Sequence, residues 1–405
     1  MSNHNKRKFR IGPGTLVTAA FIGPGTITTC IRTGLEDRYA LLWAVVFATI
    51  STIILQSTSA RIGIITHKGL GENIHSAFQS RIMKYIAIIL VFLSIMIGNC
   101  AFETGNITGV IIGLQMLCPS VSRLLCSIII CLGSIFLICI FKFEIVQFFL
   151  SCCVFLMSVI FIILAGASHP GVHEILDGID TVSFGDGGLM NVLGLIGTTI
   201  GPYGLFLHSF AASQKWTKPE EISDSNFDTI VSISIGGIIT AAIIIVAAAS
   251  LEPEMNITVS YISDLTDSII SKWGSWTKYL LSVGLVLAGF SSCLTAPMGA
   301  AVATLGICDA PVDFSKIKTK LLASFVVLIG TVFSILFGSS PTQLILFAQI
   351  INAFILPLIA CLLLVCANSS MMNEYKNSPI QNIECVFVIV LCFLIGFRNI
   401  ASIFH

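Results

Sequence analysis

Ile22-Gly23-Pro24-Gly25-Thr26 and Ile200-Gly201-Pro202-Tyr203-Gly204 repeat one pattern at two distant places in the chain. Each lies in the middle of an apolar stretch long enough to cross a bilayer. Proline removes a backbone donor and clashes with the preceding turn, and glycine tolerates non-helical geometry, so Gly-Pro at this depth predicts a broken helix. In hydrocarbon such a break persists only where the freed backbone groups face protein or a water-filled cavity. Two breaks at matching positions in two halves of a chain point to a binding site at the membrane midplane, the arrangement of a secondary transporter.

Working outward, the 405 residues are 55% hydrophobic and 10% charged, with a mean hydropathy of +0.96. That balance belongs to an all-α polytopic membrane protein, read here as one transmembrane domain over 1–405 whose partner is the lipid bilayer. A formal net charge of zero argues against nucleic acid as a partner. Residues 1–10 are polar and basic, and the apolar stretch after them lacks a small-residue cleavage site, so no cleavable signal peptide is expected. The fourteen cysteines sit mostly inside apolar runs, with no C-x-x-C pair and no zinc spacing, and read as small hydrophobes. No Ser/His/Asp set, H-E-x-x-H or phosphate-binding glycine loop supports an enzyme, and no cofactor is expected.

Measured against the roughly 20 residues that span about 30 Å, the apolar runs predict eleven transmembrane helices. They lie near 11–33, 40–65, 83–117, 121–141, 144–167, 189–213, 226–250, 276–307, 318–338, 342–366 and 382–402. The third and eighth exceed a simple crossing, which predicts tilt or an extramembrane extension. With the N-terminus in the cytoplasm, fifteen Lys and Arg residues fall inside, among them Lys68, Lys142 and Lys316. Six fall outside: Arg32, Arg38, Arg123, Lys272, Lys278 and Arg398. The external loops 168–188 and 251–275 are acidic instead. The positive-inside rule therefore predicts a cytoplasmic N-terminus and an extracellular C-terminus in a plasma-membrane protein.

The breaks fall in the first and sixth helices, five segments apart, so the two halves run in opposite senses through the membrane. Residues 11–167 form the first five-helix repeat, 189–366 its inverted counterpart, and 382–402 an extra helix. Asn256-Ile257-Thr258 matches a glycosylation sequon, a weak signal outside a secretory pathway.

Phe21-Ile22-Gly23-Pro24-Gly25-Thr26, then Thr33-Gly34, Tyr39-Ala40-Leu41-Leu42-Trp43 and Gln56-Ser57-Thr58-Ser59-Ala60-Arg61-Ile62-Gly63, resembles the opening of NRAMP metal-ion transporters. Gly201-Pro202-Tyr203-Gly204-Leu205-Phe206-Leu207-His208-Ser209 is similar to that family's Met-Pro-His-Asn-Leu-Tyr-Leu-His-Ser. Gly289-Phe290-Ser291-Ser292-Cys293-Leu294-Thr295 and Leu356-Pro357-Leu358 match family segments 8 and 10. The resemblance runs through most of the chain in order. It implies the amino-acid-permease (LeuT-like) fold, with the site between unwound helices 1 and 6 and helices 1, 2, 6 and 7 moving against 3, 4, 8 and 9.

The departures from the family pattern bear on the ligand. NRAMP proteins hold a transition metal with the Asp and Asn of Asp-Pro-Gly-Asn in helix 1 and the Met of Met-Pro-His in helix 6. The resemblance puts Gly23, Thr26 and Gly201 at those positions, and Tyr203 at the neighbouring His. The carboxylate and the soft sulfur are both gone, and a dication desolvated among backbone carbonyls and one hydroxyl is strongly disfavoured. Met298 is a sulfur candidate that reads better as a core residue; no metal site is predicted.

A helix that restarts after a break presents unpaired N–H groups and the positive end of its dipole. Removing the acid while keeping those groups converts a cation site into an anion site. The candidate binding residues are Gly23, Gly25, Thr26, Thr28 and Thr29 in helix 1 and Gly201, Tyr203 and Gly204 in helix 6. The threonine hydroxyls either meet the ligand or cap the broken helix. Tyr203 either donates to the ligand or packs with its hydroxyl at a helix end. The favoured substrate is a small planar anion, bicarbonate first, then formate- or acetate-like carboxylates, nitrate or chloride. No Arg or Lys in either break would clamp a dianion such as phosphate. The alternative is the family's usual cargo, a divalent cation such as Mn, Fe or hydrated Mg.

Intramembrane ionisable groups are expensive and usually functional. Glu103 lies in helix 3, near where NRAMP proteins carry acids linked to proton transport, and His208 matches a His that the family retains in helix 6. Together they would take a coupling proton, sodium being the other candidate coupling ion, or form a structural hydrogen-bonded pair between helices 3 and 6. Asn99, Asn106, Gln349 and Asn352 line a polar path or glue helices together.

Overall fold

The computed structural model describes residues 12–184, 188–250, 269–337 and 355–403, with side chains as far as residue 394. Among the described residues the chain is helical throughout, without a β-strand. The first predicted crossing is two helices, α1 (Pro13–Phe21) and α2 (Pro24–Asp37), bent by 56° at the break. Pro24 has no N–H to continue α1, and it restricts the residue before it to extended backbone. The same proline then serves as the first residue of α2, where its fixed φ suits a helix start.

The next crossings are α3 (Leu42–Thr66), α5 (Arg81–Leu117), α6 (Arg123–Ile140) and α7 (Phe143–Ala167), with the short α4 (Leu70–Ala77) between α3 and α5. The 37-residue length of α5 accounts for the overlong third segment, and it contains one π-helical stretch, Phe92–Ile97. A second short helix, α8 (Val172–Asp180), occupies the predicted 168–188 loop. Neither α4 nor α8 is apolar enough over a long enough run to read as a crossing, and neither registers as one in the sequence.

The sixth crossing breaks as the first does, into α9 (Gly188–Thr199) and α10 (Pro202–Lys215), although here the two run on as one span of 28 residues. It is followed by α11 (Ile222–Ser250), α12 (Trp276–Ile307) and α13 (Ile317–Leu336). Counting the bent pair once, nine spans among the described residues are long and apolar enough to cross a membrane. Two shorter apolar stretches, in α14 (Ile355–Ala367) and in α15 (Pro379–Ile403), fall in the predicted tenth and eleventh segments. The start of the tenth segment, with Gln349 and Asn352, lies outside the described residues, as do the sequon at Asn256 and residues 1–11.

The packing groups the crossings in two. The broken pair α1–α2, α3, α10 and α11 pack extensively on one another, and α5, α6, α12 and α13 do the same. Large apolar side chains such as Ile129, Leu132, Phe148, Phe155 and Leu321 point outward. Thr, Ser and Asn are buried instead, among them Thr18, Thr52, Asn99 and Thr240. That inversion suits a lipid solvent, in which hydroxyls that bond within the protein help hold helices together. Close approach relies on glycine: a Cβ on Gly63 of α3 would fall 2.1 Å from the Ser209 carbonyl of α10, and one on Gly109 of α5 would fall 2.2 Å from Pro24.

Candidate ion site between the two broken helices

α1 ends with the Ile22 N–H on the Thr18 carbonyl at 3.0 Å and the Gly23 N–H on the Phe21 carbonyl at 3.0 Å. In α2 the Ile27 N–H is the first to find a carbonyl, that of Gly23 at 3.1 Å. Pro24 has no donor, so the free amides of this first turn are those of Gly25 and Thr26. In α10 the Gly204 N–H takes the Gly201 carbonyl at 2.9 Å and Pro202 again has no donor, which leaves the Tyr203 amide free. No side chain caps either start.

These turns face a small cavity with room for about one water molecule. Its lining is Ala20, Phe21, Gly23, Gly25, Thr26, Phe102, Asn106, Thr198, Gly201, Tyr203 and Ser292. The structure thus brings Gly23, Gly25, Thr26, Gly201 and Tyr203 together on one space. Gly204, Thr28 and Thr29 are not part of the lining. Gly204 lies beneath Gln56, Thr29 packs its methyl against Gly194 of α9, and the buried hydroxyls of Thr28 and Thr29 have no partner among the described residues.

The carbonyl end of α1 is covered where the amide starts are bare. The Tyr203 hydroxyl donates to the Ala20 carbonyl at 2.5 Å. The Thr26 hydroxyl donates to the Phe21 carbonyl; its only proton is then committed, and at 2.5 Å the Thr198 hydroxyl must donate to it. The Ser292 hydroxyl points at the Ala19 carbonyl at 3.5 Å. Of the two sequence readings of Tyr203 and Thr26, the helix-end roles are the ones these bonds describe.

Glu103 and His208, both fully buried, are not bonded to each other. The structural alternative, a direct pair between helices 3 and 6, is therefore not formed. Glu103 Oε2 accepts from Asn106 Nδ2 at 3.2 Å, with the Cys293 thiol also in reach, while Oε1 has no partner among the described residues. Its methylenes fill the gap left at Gly330, where a Cβ would fall 2.5 Å from Glu103 Cγ. His208 Nδ1 pairs with Gln56 Oε1 at 3.1 Å, and its Nε2 has no partner among the described residues. Glu103 reaches the cavity through Asn106; His208 has no such link.

Phe102, Thr198 and Ser292 line the cavity without having been singled out. Thr198 precedes the second break by three residues and Ser292 lies in a quoted motif; nothing in the sequence marks Phe102, whose ring meets that of Tyr203 edge-on at 6.0 Å. Among the described residues, no group of three or more His, Cys, Asp or Glu side chains comes close enough to hold a metal ion.

The family model for natural resistance-associated macrophage protein-like proteins matches residues 14–402. The chain belongs to the NRAMP family. This NRAMP chain is 28% identical over 387 residues to the metal transporter Nramp3 of Oryza sativa subsp. japonica, covering 91% of this chain and 69% of that one. It is 24% identical over 420 residues to the divalent metal cation transporter MntH of Staphylococcus saprophyticus, covering 98% and 92%. Its structure is similar to that of the Eremococcus coleocola manganese transporter, with a TM-score of 0.78 at 24% identity over 99% of this chain and 88% of that one. A sodium-coupled sialic acid symporter, with a TM-score of 0.61 at 12% identity over 94% of this chain and 88% of that one, extends the likeness to LeuT-type transporters. The NRAMP chain is thus a multi-pass membrane protein with the LeuT-like fold.

Proposed function

We propose that this NRAMP-family chain is a secondary transporter that carries a small monoanion, bicarbonate first, by alternating access. The observation that carries the reading is the asymmetry at the breaks: the amides of Gly25, Thr26 and Tyr203 are free among the described residues, while hydroxyls cover the carbonyls of Ala20 and Phe21. Free amides at a helix start attract negative charge, and covered carbonyls offer little to a cation. A well-placed helix N-terminus contributes up to about 2 kcal/mol. Two of them approach the roughly 4 kcal/mol of millimolar binding, weak enough for release. Since the cavity has room for about one water, the two helix groups must part to admit a planar anion. In this proposal Gly23, Gly25, Thr26, Gly201 and Tyr203 contact or frame the ion, Thr28, Thr29 and Gly204 support the restarted helices, and Glu103 and His208 carry a coupling proton.

The named relatives favour a second reading, transport of a divalent metal cation. Against it stand Gly23 and Gly201, which supply neither charge nor sulfur at the positions that the family resemblance assigns to metal ligands. Uptake into liposomes holding the purified protein, under one imposed pH gradient, separates the two. Radiolabelled bicarbonate entering without Mn²⁺ is the expected result; Mn²⁺ entering without bicarbonate would mean that carbonyls and waters suffice for a metal and that the anion reading is wrong.

A further inference from the structure

Each anion class in the proposed range accepts hydrogen bonds, but bicarbonate alone among the planar inorganic ones also has an O–H to donate. Nitrate is its match in charge and trigonal shape and has no donor. A site built only of amides would treat the two alike. The cavity carries one feature that would not. Asn106 on α5 is 4% exposed and lines the cavity beside the break in the first crossing. Its Nδ2 donates to Glu103 Oε2 at 3.2 Å, which leaves Oδ1 as the atom turned toward Gly23. A side-chain carbon on Gly23 would lie 3.5 Å from Asn106 Oδ1. Among the described residues no donor is bonded to that oxygen. It is therefore an acceptor facing the cavity and held in that sense by the carboxyl group behind it, whereas the neighbouring hydroxyls of Thr26, Tyr203 and Ser292 are turned to α1 carbonyls.

We propose that Asn106 is a specificity-determining residue: its Oδ1 accepts the O–H of a protonated oxyanion whose other oxygens take the amides of Gly25, Thr26 and Tyr203. The inference rests on the anion reading above and deepens it to a substrate class, hydrogen-bond-donating monoanions of which bicarbonate is the smallest planar case. Glu103 acts through Asn106 as a positioning residue. Turning Nδ2 toward the ligand would bring Oδ1 against Glu103 Oε2, two acceptors face to face, and leave that oxygen without its donor. Nitrate or formate placed in the same geometry would set an oxygen lone pair against Oδ1, an unpaired and repulsive contact in a dry site. Gly23 contributes room here: a Cβ there meets Asn106 Oδ1 only at an ordinary 3.5 Å, whereas a longer side chain would stand between Asn106 and the ion.

The test is equilibrium binding of bicarbonate, nitrate and formate to the purified full chain by calorimetry near neutral pH. The wild type is expected to bind bicarbonate about tenfold more tightly than nitrate, the effect of one hydrogen bond made or opposed. Asn106→Leu, close in volume but without an acceptor, should reduce that ratio to about one, with bicarbonate weakened and nitrate bound as tightly as before or more tightly. Retained nitrate binding certifies that the variant is folded, and Asn106→Ala repeats the deletion without branched bulk should the leucine variant misfold. A variant that keeps the wild-type preference, or loses both ions equally, overturns the role of Asn106. Wild-type protein that binds nitrate as tightly as bicarbonate overturns the selection and leaves anion transport standing; wild-type protein that binds none of the three overturns the anion reading itself.

Discussion

At Gly23 the backbone is extended, with φ −110° and ψ −178°, and at Gly201 it has φ −68° and ψ 118°. Any residue adopts those conformations, so the break itself does not require glycine. What glycine supplies at 23 is space: a Cβ would fall 2.7 Å from Ser292 Oγ. A hydroxyl can turn aside, so Gly23→Ala should retain most anion uptake. Gly23→Asp adds the same first carbon and a charge. Two like charges roughly 4 Å apart at an effective dielectric near 20 repel by about 4 kcal/mol. Uptake by proteoliposomes should therefore collapse in the aspartate variant and survive in the alanine one; equal behaviour of the two would mean that the ion does not pass Gly23. The five cavity residues foreseen from the sequence were legible because they sit inside the Gly-Pro motifs. Whether the Thr26 and Tyr203 hydroxyls are free for a ligand was not, because that depends on which carbonyl lies opposite after packing, and Phe102 and Ser292 arrive from other helices altogether.

The elements were legible to the extent that lipid dictates them. Continuous apolar length fixed α12 at its predicted limits of 276 and 307, and the two prolines fixed both breaks. What ties one element to another is less visible in a linear pattern. Asp228 on α11 accepts from the Gly12 and Gly14 amides at 2.9 and 2.8 Å, a cap for α1 supplied by a helix over 200 residues away. In the sequence it is one acid near the start of a span. Asp228→Ala leaves two amides of α1 without their acceptor and should lower stability by about 0.5–2 kcal/mol, the usual range for a lost cap. Asp228→Asn, which keeps one acceptor oxygen, should fall between. Thermal unfolding in one detergent ranks the three, and an alanine variant as stable as wild type would show that the cap carries no load. A stricter constraint holds α3 on α10: the Cβ of Gly63→Ala would meet the Ser209 carbonyl, which is backbone and cannot rotate away. That variant should be destabilised by about 1–3 kcal/mol, the penalty of overpacking, and the same unfolding measurement reads it.

For the whole molecule, the contacts between helix ends sort the loops into two sets. At one end Trp43 Nε1 donates to the Ser183 carbonyl at 2.8 Å, Gly178 packs on Tyr39, and Lys272 Nζ reaches the Ala249 carbonyl at 2.7 Å. At the other His75 Nδ1 pairs with the Ile307 carbonyl at 2.9 Å, Arg61 Nη1 donates to Gln381 Oε1 at 2.8 Å, and Lys320 Nζ reaches the Cys139 carbonyl at 2.7 Å. The second set is the one that collects most of the Lys and Arg residues, so the positive-inside rule assigns it to the cytoplasm. This fixes what alternating access would mean here. The groups α1–α2, α3, α10, α11 and α5, α6, α12, α13 pack more within themselves than across the cavity, so on that assignment parting them at the Tyr39 end would open the site to the outside and parting them at the Ile307 end would open it to the cell. An epitope inserted after Thr181 should be labelled by antibody on intact cells, and one inserted after Ala310 only after permeabilisation. The reverse pattern would invert the chain in the membrane and put the acidic loops inside, against the charge bias.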